Sequence, residues 1–166
     1  MHLYTCIFTN DEICSDSYKY NKCFGEAGLE FRANYRLKKG DQICIASDDE
    51  IVDDDADAVT VVDIVDACQL QEIPMSKKDL MAWGKQFLKK IIDHLKENGK
   101  DDRIPAFKKE STEMFKFLVS KTDEIQFYMG SSCDPQANLA FSYQKNDDDD
   151  GPTFMYFADA LKIVKL

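Results

Sequence analysis

The sequence has little of what most metal sites and catalytic sites need. Its 166 residues include two histidines, His2 and His94, and six cysteines without a CxxC pair. Because the paired ligand spacing of zinc sites is missing, we expect no zinc. The patterns GxGxxG, GxxxxGK[ST], HExxH and GxSxG are also absent, which disfavours nucleotide-binding loops, zinc proteases and serine hydrolases. We therefore predict that the protein is not an enzyme and has no catalytic residues.

Long apolar runs are absent as well. No run approaches the roughly 18 apolar residues that a membrane helix needs, so we expect no membrane span. The start, MHLYTCIFTNDE, lacks the basic region, the long apolar core and the cleavage site of a secretory signal. We therefore expect a cytoplasmic protein whose cysteines are reduced.

Glycine is scarce, whereas aromatic residues are not. The chain has 7 Gly but 11 Phe, 7 Tyr and 1 Trp, and 44% of its residues are hydrophobic. This composition is unlike that of disordered chains. A length of 166 residues is typical of one domain with a real core. We therefore predict a single domain spanning residues 1–166.

Basic residues are absent from Asp41 through Ser76, and the net charge is −10. Eleven carboxylates lie in two short acidic segments, seven between Asp48 and Asp57 and four at positions 147–150. Positions 77–121 hold twelve basic and seven acidic residues, a net of +5. The negative net charge of the whole chain disfavours binding to duplex nucleic acid, so we expect no specific nucleic-acid partner.

The hydrophobic pattern predicts a β-rich chain. Leu29 to Leu37 alternates, with Leu29, Phe31, Ala33, Tyr35 and Leu37 on the face that we expect to be buried. A hairpin turn at positions 38–41 should lead into a strand at 42–46. Further strands are predicted at Leu3–Phe8, Ala58–Val65, Ile125–Met129, Asn138–Gln144, Thr153–Phe157 and Leu161–Val164.

The middle of the chain, about 77–121, predicts an antiparallel helical hairpin. Ser76 to Asp79 resembles a capping box, and Asn98-Gly99 is a typical helix end. The first helix should bury Leu80, Trp83, Phe87, Ile91 and Leu95, and the second, starting near Pro105, should bury Phe107, Ser111, Met114, Phe115 and Leu118. A connection of about six residues favours antiparallel packing.

The acidic segment at about 47–57 is predicted to be a mobile loop, because it is densely like-charged and has no aromatic residue. Asp53, Asp55 and Asp57 match three ligand positions of an EF-hand, but Ala58 and Ile64 stand where glycine and glutamate are required. Two interpretations remain open. Carboxylates there could bind Ca²⁺ weakly, through Asp53, Asp54, Asp55 and Asp57, or the segment could simply be a solvated loop.

The order of several motifs resembles the translationally controlled tumour protein family over almost the whole length. The motifs are Asp11-Glu12 with Ser15-Asp16, VVDIVDACQLQE (Val61 to Glu72), the lysine-rich helix, FYMG (Phe127 to Gly130) and PTFMYFADALKI near the end. The resemblance implies an α+β fold with β-tent sheets, a protruding helical hairpin and a mobile acidic loop. It also implies a cytosolic, non-enzymatic regulatory protein, with a proposed guanine nucleotide exchange activity and Ca²⁺ binding.

The partners that the resemblance implies are small GTPases of the Rheb type, tubulin, translation elongation factors and anti-apoptotic proteins. The family residue matching Glu12 is proposed to face the GTPase, so we predict a partner-binding site at Glu12, Asp11, Asp16 and Ser131. FTNDEICSDSY, Phe8 to Tyr18, is interpreted as a surface turn after the first strand. The alternative function is that of an acidic protein whose main ligand is Ca²⁺.

Four departures from the family pattern bear on these expectations. Ser131 stands where the family usually has glutamate, and the stretch Pro105-Ala106-Phe107 lacks a lysine often found there. The Asn-x-Ser-x-Glu signature of the acidic loop is absent, and Ala160 replaces glycine. The first two changes lie at or near the proposed docking surface, and they weaken the expectation of a GTPase partner.

Overall fold

The computed structural model describes residues 2–38, 59–146 and 150–165. Within these ranges the regular elements, in chain order, are β1 (His2–Cys6), β2 (Glu12–Ser15), β3 (Tyr20–Cys23), β4 (Gly28–Arg32), β5 (Tyr35–Lys38), β6 (Val59–Val62), α1 (Asp63–Cys68), β7 (Gln71–Ile73), α2 (Lys77–Glu97), α3 (Ile104–Ser120), β8 (Gln126–Met129), β9 (Ala140–Tyr143), β10 (Thr153–Phe157) and β11 (Leu161–Lys165). Short 3₁₀ turns lie at Asp101–Arg103, Thr122–Glu124 and Ala158–Ala160. The α+β class predicted from the sequence is confirmed.

The strands form three antiparallel sheets among the described residues. The largest has the order β3-β4-β10-β9-β8-β7, the second has the order β11-β1-β2, and β5 pairs with β6 in a two-stranded ribbon. Strands from both ends of the chain therefore lie side by side, because β1 pairs with β11 and β4 pairs with β10. The first turn and the last third of the chain are thereby brought close together.

Helices α2 and α3 form the hairpin that the sequence predicted. The Ser76 hydroxyl accepts a hydrogen bond from the Asp79 amide (3.1 Å), and the Asp79 carboxylate accepts one from the Ser76 amide (3.2 Å), which completes the capping box. After α2 the chain turns at Gly99, whose φ of +69° suits glycine. Pro105 lies in the first turn of α3, where its missing N–H costs nothing.

The main core lies between the hairpin and the large sheet. The predicted α2 stripe is buried throughout: Leu80, Trp83, Phe87, Ile91 and Leu95. Trp83 stacks on Phe87, with ring centroids 4.6 Å apart, and meets Phe141 of β9 edge-on at 5.6 Å. Such ring contacts add to the free energy of burying the aromatic area, so the hairpin is held firmly on the sheet.

The predicted strand at Leu29–Leu37 is interrupted, and this part of the prediction was wrong. Strand β4 ends at Arg32, and the Ala33 amide donates to the Pro152 carbonyl (3.0 Å). The chain then leaves the large sheet and continues as β5. Tyr35 and Leu37 are therefore 54% and 67% exposed, whereas Glu30, expected on the solvent face, is only 8% exposed. The alternation of residues could not reveal that the strand changes sheets.

The predicted strand at Ala58–Val65 was also wrong in its second half. Strand β6 ends at Val62, and α1 begins at Asp63. The Asp63 carboxylate accepts hydrogen bonds from the amides of Asn34 and Ile64, at 2.9 and 2.8 Å, so it stabilises the turn into the helix. Strands β2, β3 and β7 were not predicted, because each has only three or four residues.

Several predictions lie outside the described residues. They are the turn at 38–41 beyond its first residue, the strand at 42–46, and the acidic loop at 47–57 with its proposed mobility. They stay predictions.

Candidate functional site

The opening stretch Phe8 to Tyr18 forms a tight turn followed by a strand, so the prediction of a turn was wrong for its second half. The turn closes with the Asn10 amide donating to the Cys6 carbonyl (2.8 Å) and the Cys6 amide donating to the Asp11 carbonyl (2.9 Å). Asn10 has a φ of +64°, a conformation that asparagine tolerates better than most residues. Strand β2 begins directly afterwards, at Glu12.

Asp11 joins this turn to the loop after β8, residues 130–139. Its carboxylate accepts hydrogen bonds from the Ser132 amide (3.1 Å) and the Ser132 hydroxyl (2.5 Å), and the Ser131 hydroxyl lies 3.5 Å away. The approach is close enough that a Cβ at Gly130 would overlap the Asp11 carboxylate. Bonds to a charged acceptor are stronger than those between neutral groups, so Asp11 holds the two loops together.

Helix α2 contacts the same loop further along the chain. The Trp83 indole N–H donates to the Ala137 carbonyl (3.1 Å), and the Lys90 ammonium donates to the Gln136 carbonyl (3.4 Å). Lys90 also lies 5.4 Å from the ring centre of Phe8, a favourable cation–π distance. We call the assembly of residues 8–12, residues 130–136 and Lys90 the junction surface.

Glu12 is the exposed acid of the junction surface. Its side chain is exposed and makes no hydrogen bond or ion pair with any other described residue. It nevertheless starts a strand that is fixed in place, because the next two residues, Ile13 and Cys14, are buried. The structure thus brings Asp11, Glu12 and Ser131 into one region, with the Asp11 carboxylate already engaged by Ser132.

Asp16, the fourth predicted site residue, lies apart from the other three. It follows β2, about 13 Å from Glu12 at the usual rise of a strand. Its carboxylate accepts hydrogen bonds from the His2 amide (3.1 Å) and approaches the His2 imidazole Nδ1 at 2.9 Å. These contacts with the His2 side chain and backbone lower the pKa of Asp16. Asp16 therefore anchors the start of β1.

The sequence offered little sign of the other junction residues. Ser132 makes the closest contacts with Asp11, but in the sequence it is one of two adjacent serines in a loop. Lys90 is one of many lysines on α2. The need for glycine at position 130 becomes clear only from the position of the Asp11 carboxylate, which a Cβ there would overlap. Their roles depend on contacts between residues 46 to 121 positions apart, which no local pattern reports.

The thiols near β2 are poor nucleophiles. Burial raises the pKa of the Cys14 thiol, and burial followed by the charge of Glu12 raises the pKa of Cys68 to about 11. Both groups are therefore protonated at neutral pH, which disfavours thiolate chemistry. The five cysteines in the described ranges, Cys6, Cys14, Cys23, Cys68 and Cys133, are free thiols.

Metal binding cannot be assigned to a group of side chains in the part of the chain that the structure describes. No set of three or more His, Cys, Asp or Glu residues in residues 2–38, 59–146 and 150–165 is arranged to hold a metal ion. The predicted Ca²⁺ ligands Asp53, Asp54, Asp55 and Asp57 lie outside these ranges. Among the described helices, none is long and apolar enough to cross a membrane.

The described residues combine three features that can be compared with those of known protein families. Antiparallel sheets carry a helical hairpin, and an ordered polar surface forms where the first turn meets the loop after β8. A protein-family model described as translationally controlled tumour protein matches residues 1–162. The chain therefore belongs to the translationally controlled tumour protein family, whose members are generally regulatory proteins and not enzymes.

Relatives and solved structures agree with this assignment. The translationally-controlled tumor protein homologs of Plasmodium chabaudi chabaudi and Plasmodium yoelii yoelii are each 40% identical over 168 residues, with 97% of both chains covered. The Caenorhabditis elegans translationally-controlled tumor protein is 26% identical with a TM-score of 0.73, covering 100% of this chain and 99% of that one. The Schizosaccharomyces pombe protein p23fyp shares the fold, with a TM-score of 0.83 at 24% identity and full coverage of both chains.

Proposed function

We propose that the protein is a regulatory binding protein that docks a Ras-like small GTPase of the Rheb type on the junction surface. The observation that carries the proposal is Glu12, an exposed carboxylate without an internal partner at the start of a buried strand. Family membership supports the class of partner, and the match of Glu12 to the family position proposed to face the GTPase supports the surface.

The geometry suits a contact that orients the partner. Asp11 holds the turn against the loop at 130–139 through Ser132, so the backbone around Glu12 is fixed before binding. Preorganisation lowers the entropy that association would otherwise cost. Because Glu12 is exposed, we expect it to act on the association rate and on specificity more than on the total affinity.

Tubulin and a translation elongation factor are further partners proposed on the basis of family membership. The net charge of +5 at positions 77–121 would favour an acidic partner on the exposed side of the hairpin. Of these basic residues only Lys90 belongs to the junction surface, so variants at Glu12 distinguish the two modes of binding.

The test is surface plasmon resonance of the wild type, Glu12→Ala and Glu12→Lys against a Rheb-type GTPase at low and high salt. We expect Glu12→Ala to slow association and to weaken its dependence on salt. Glu12→Lys should reduce association further, because it adds repulsion to the lost attraction.

The matched control is Glu113→Lys, which reverses an exposed acid on α3, a helix that contributes nothing to the junction surface. Equal kinetics for the wild type and both Glu12 variants would remove Glu12 from the contact. A wild type that binds no GTPase, but binds tubulin or the elongation factor, would overturn the GTPase proposal while leaving family membership intact.

A further inference from the structure

A cleft of about 420 Å³ lies between the β3–β4 turn, the end of α3 and strand β9, and the function proposed above does not use it. Three aromatic rings line it. Phe24 and Phe117 have ring centroids 5.7 Å apart, and Phe117 meets Tyr143 edge-on, also at 5.7 Å. Met155, at the floor, is buried.

A buried carboxylate lies in the same cleft. Glu30 is 8% exposed, and it accepts hydrogen bonds from the Tyr143 hydroxyl (3.1 Å) and the Lys145 ammonium (2.6 Å). The two ends of the ion pair differ, because the Lys145 side chain is 47% exposed while that of Glu30 is 9% exposed. The anion is thus part of the protein interior, whereas its cation reaches in from solvent.

Two other ionisable groups that line the cleft, the Cys23 thiol and the Tyr143 phenol, are neutral. Burial, followed by the charge of Glu30, raises the pKa of the Cys23 thiol to about 12 and also raises the pKa of the Tyr143 phenol. At the rim, Lys121 and Glu124 pair with each other at 3.5 Å. Glu30 therefore provides the negative charge that faces the aromatic walls.

The wall formed by Phe24 is held in place before any ligand arrives. Phe24 has a φ of +52°, an uncommon conformation for a bulky residue that persists only where the surroundings impose it. The surroundings do so here. The Glu26 amide donates to the Glu110 carboxylate (3.2 Å), and Glu110 pairs with Arg103 at 2.8 Å. The turn that carries the Phe24 ring is therefore fixed to α3.

We infer that this cleft binds an organic cation, an alkylammonium or guanidinium group, with Glu30 as its counter-ion and Phe24, Phe117 and Tyr143 as its aromatic walls. A cation over aromatic faces is attracted by their electron density, and recognition of quaternary ammonium groups by aromatic cages uses this attraction. The ligand cation takes the place of the Lys145 ammonium. The cation can belong to a small amine or to a lysine or arginine side chain of a peptide.

Displacing Lys145 is feasible because its head group is solvated. Because the ligand cation replaces the ammonium, the buried Glu30 carboxylate keeps a counter-ion throughout the exchange, and the released ammonium returns to water. A neutral apolar ligand would gain contact with the rings but would leave Glu30 paired as before. An anion would face the Glu30 carboxylate. The cleft therefore favours a cation that carries its own apolar surface.

The test is titration of ¹⁵N-labelled protein with choline and, separately, with 3,3-dimethylbutan-1-ol, its neutral isostere, following the amide signals of Phe24, Phe117 and Tyr143. We expect choline to shift these signals and the isostere to bind more weakly. Short peptides with one central lysine, arginine or trimethyllysine form the second arm. Binding by choline alone identifies a small amine as the source, and tighter binding by a peptide identifies a side chain.

Three variants locate the site. Lys145→Met should tighten choline binding by about two- to fivefold, since it removes the ammonium that competes with choline for Glu30. Phe117→Leu should weaken it by about two- to fivefold through loss of the cation–π contact, and Glu30→Gln should weaken it by about tenfold or more. Lys96→Met, at an exposed lysine of α2, is the matched control and should change nothing.

Equal binding of choline and its isostere would overturn the proposal, because the cleft would then be merely apolar. Absence of binding by choline and by all peptides would overturn it too. If neither Lys145→Met nor Phe117→Leu alters choline binding, choline is attracted by the net negative charge of the protein and not by the cleft. That result would also overturn the proposal. Phe117→Leu keeps the test decisive if Glu30→Gln or Lys145→Met fails to fold, because it changes an aromatic wall of the cleft without changing its charge.

Discussion

The carboxylate of Asp11 accepts both the amide and the hydroxyl hydrogen bonds of Ser132, 121 positions further along the chain, at 3.1 and 2.5 Å. This pair fixes the first turn of the protein against the loop after β8. Glu12 directly follows Asp11 in the chain. The Asp11–Ser132 contact therefore fixes the backbone at Glu12, although the Glu12 side chain is not part of that contact.

The pair should contribute measurably to stability. Asp11→Ala leaves the Ser132 amide and hydroxyl without their charged acceptor, and we expect a loss of about 1–3 kcal/mol in the free energy of unfolding. Urea denaturation followed by circular dichroism measures it. Ser131→Ala is the control, since the Ser131 hydroxyl lies 3.5 Å from Asp11. An equal effect of both substitutions would show that Ser132 is not the main contact.

Trp83 links α2 to the loop at 130–139 as well as to the core. It is 7% exposed, and its indole N–H donates to the Ala137 carbonyl. Trp83→Ala should cost about 3–5 kcal/mol, the usual range for a large buried aromatic residue. Trp83→Phe should cost less, because only the hydrogen bond and part of the ring are lost. An emission maximum typical of a fully exposed tryptophan in the wild type would contradict the assigned burial.

Gly84 of α2 lies directly against the Phe115 ring of α3. A Cβ at this position would overlap the ring of Phe115. Alanine has a helix propensity better than that of glycine by about 1 kcal/mol. We nevertheless expect Gly84→Ala to destabilise the protein by about 1–3 kcal/mol through overpacking. Thermal and urea unfolding measure the change, with Lys85→Ala at the exposed neighbouring position as control. A more stable Gly84→Ala protein would show that Phe115 can move aside.

Glu110 should contribute to stability in a pH-dependent way. Its partial burial acts to raise its pKa, but the hydrogen bonds from the Arg103 side chain and the Glu26 amide outweigh this, so its pKa is lowered. A lowered pKa in the folded state gives stability above the ordinary value near 4.5 that is lost as the pH falls through the folded value.

We therefore expect the wild type to lose more unfolding free energy between about pH 6 and pH 3 than Glu110→Gln does. Urea unfolding at a series of pH values is the measurement. Glu113→Gln, an exposed acid on the same helix, should retain the dependence of the wild type. Parallel curves for all three proteins would mean that Glu110 is not perturbed.

Weak Ca²⁺ binding remains a prediction from the sequence alone. Clustered carboxylates at Asp53, Asp54, Asp55 and Asp57 should bind with a Kd on the order of 10⁻⁴ M or weaker, since no EF-hand pattern is complete. Titration calorimetry at physiological salt measures it. Replacing the four residues by asparagine should abolish the heat, whereas replacing Asp147 to Asp150 should not. Tight one-to-one binding, or no heat at millimolar Ca²⁺, would contradict the prediction.

The helical hairpin could be read from the sequence because its signals are local. The α2 stripe from Leu80 to Leu95 repeats every three or four residues, and the Ser76–Asp79 box and Gly99 mark the ends of α2. The spacing of the stripe and the two end signals each depend on residues within about one turn of helix. The aromatic strand Thr153–Phe157 and the position of Glu12 were accessible for the same reason, the latter through a family motif that is continuous in sequence.

Only the tertiary structure determines how distant segments of the chain contact one another. The alternation from Leu29 to Leu37 predicted a strand, but the chain's passage from the large sheet to the β5–β6 ribbon exposes Tyr35. Glu30 is buried within β4, where it contacts Tyr143 and Lys145. The sequence is enough to predict that Asp11 lies in a turn. Its contact with Ser132 exists only because the pairing of β1 and β8 with their neighbouring strands brings the two loops together. Periodicity reports which face of a segment is apolar, and it carries no information about which segment will cover that face.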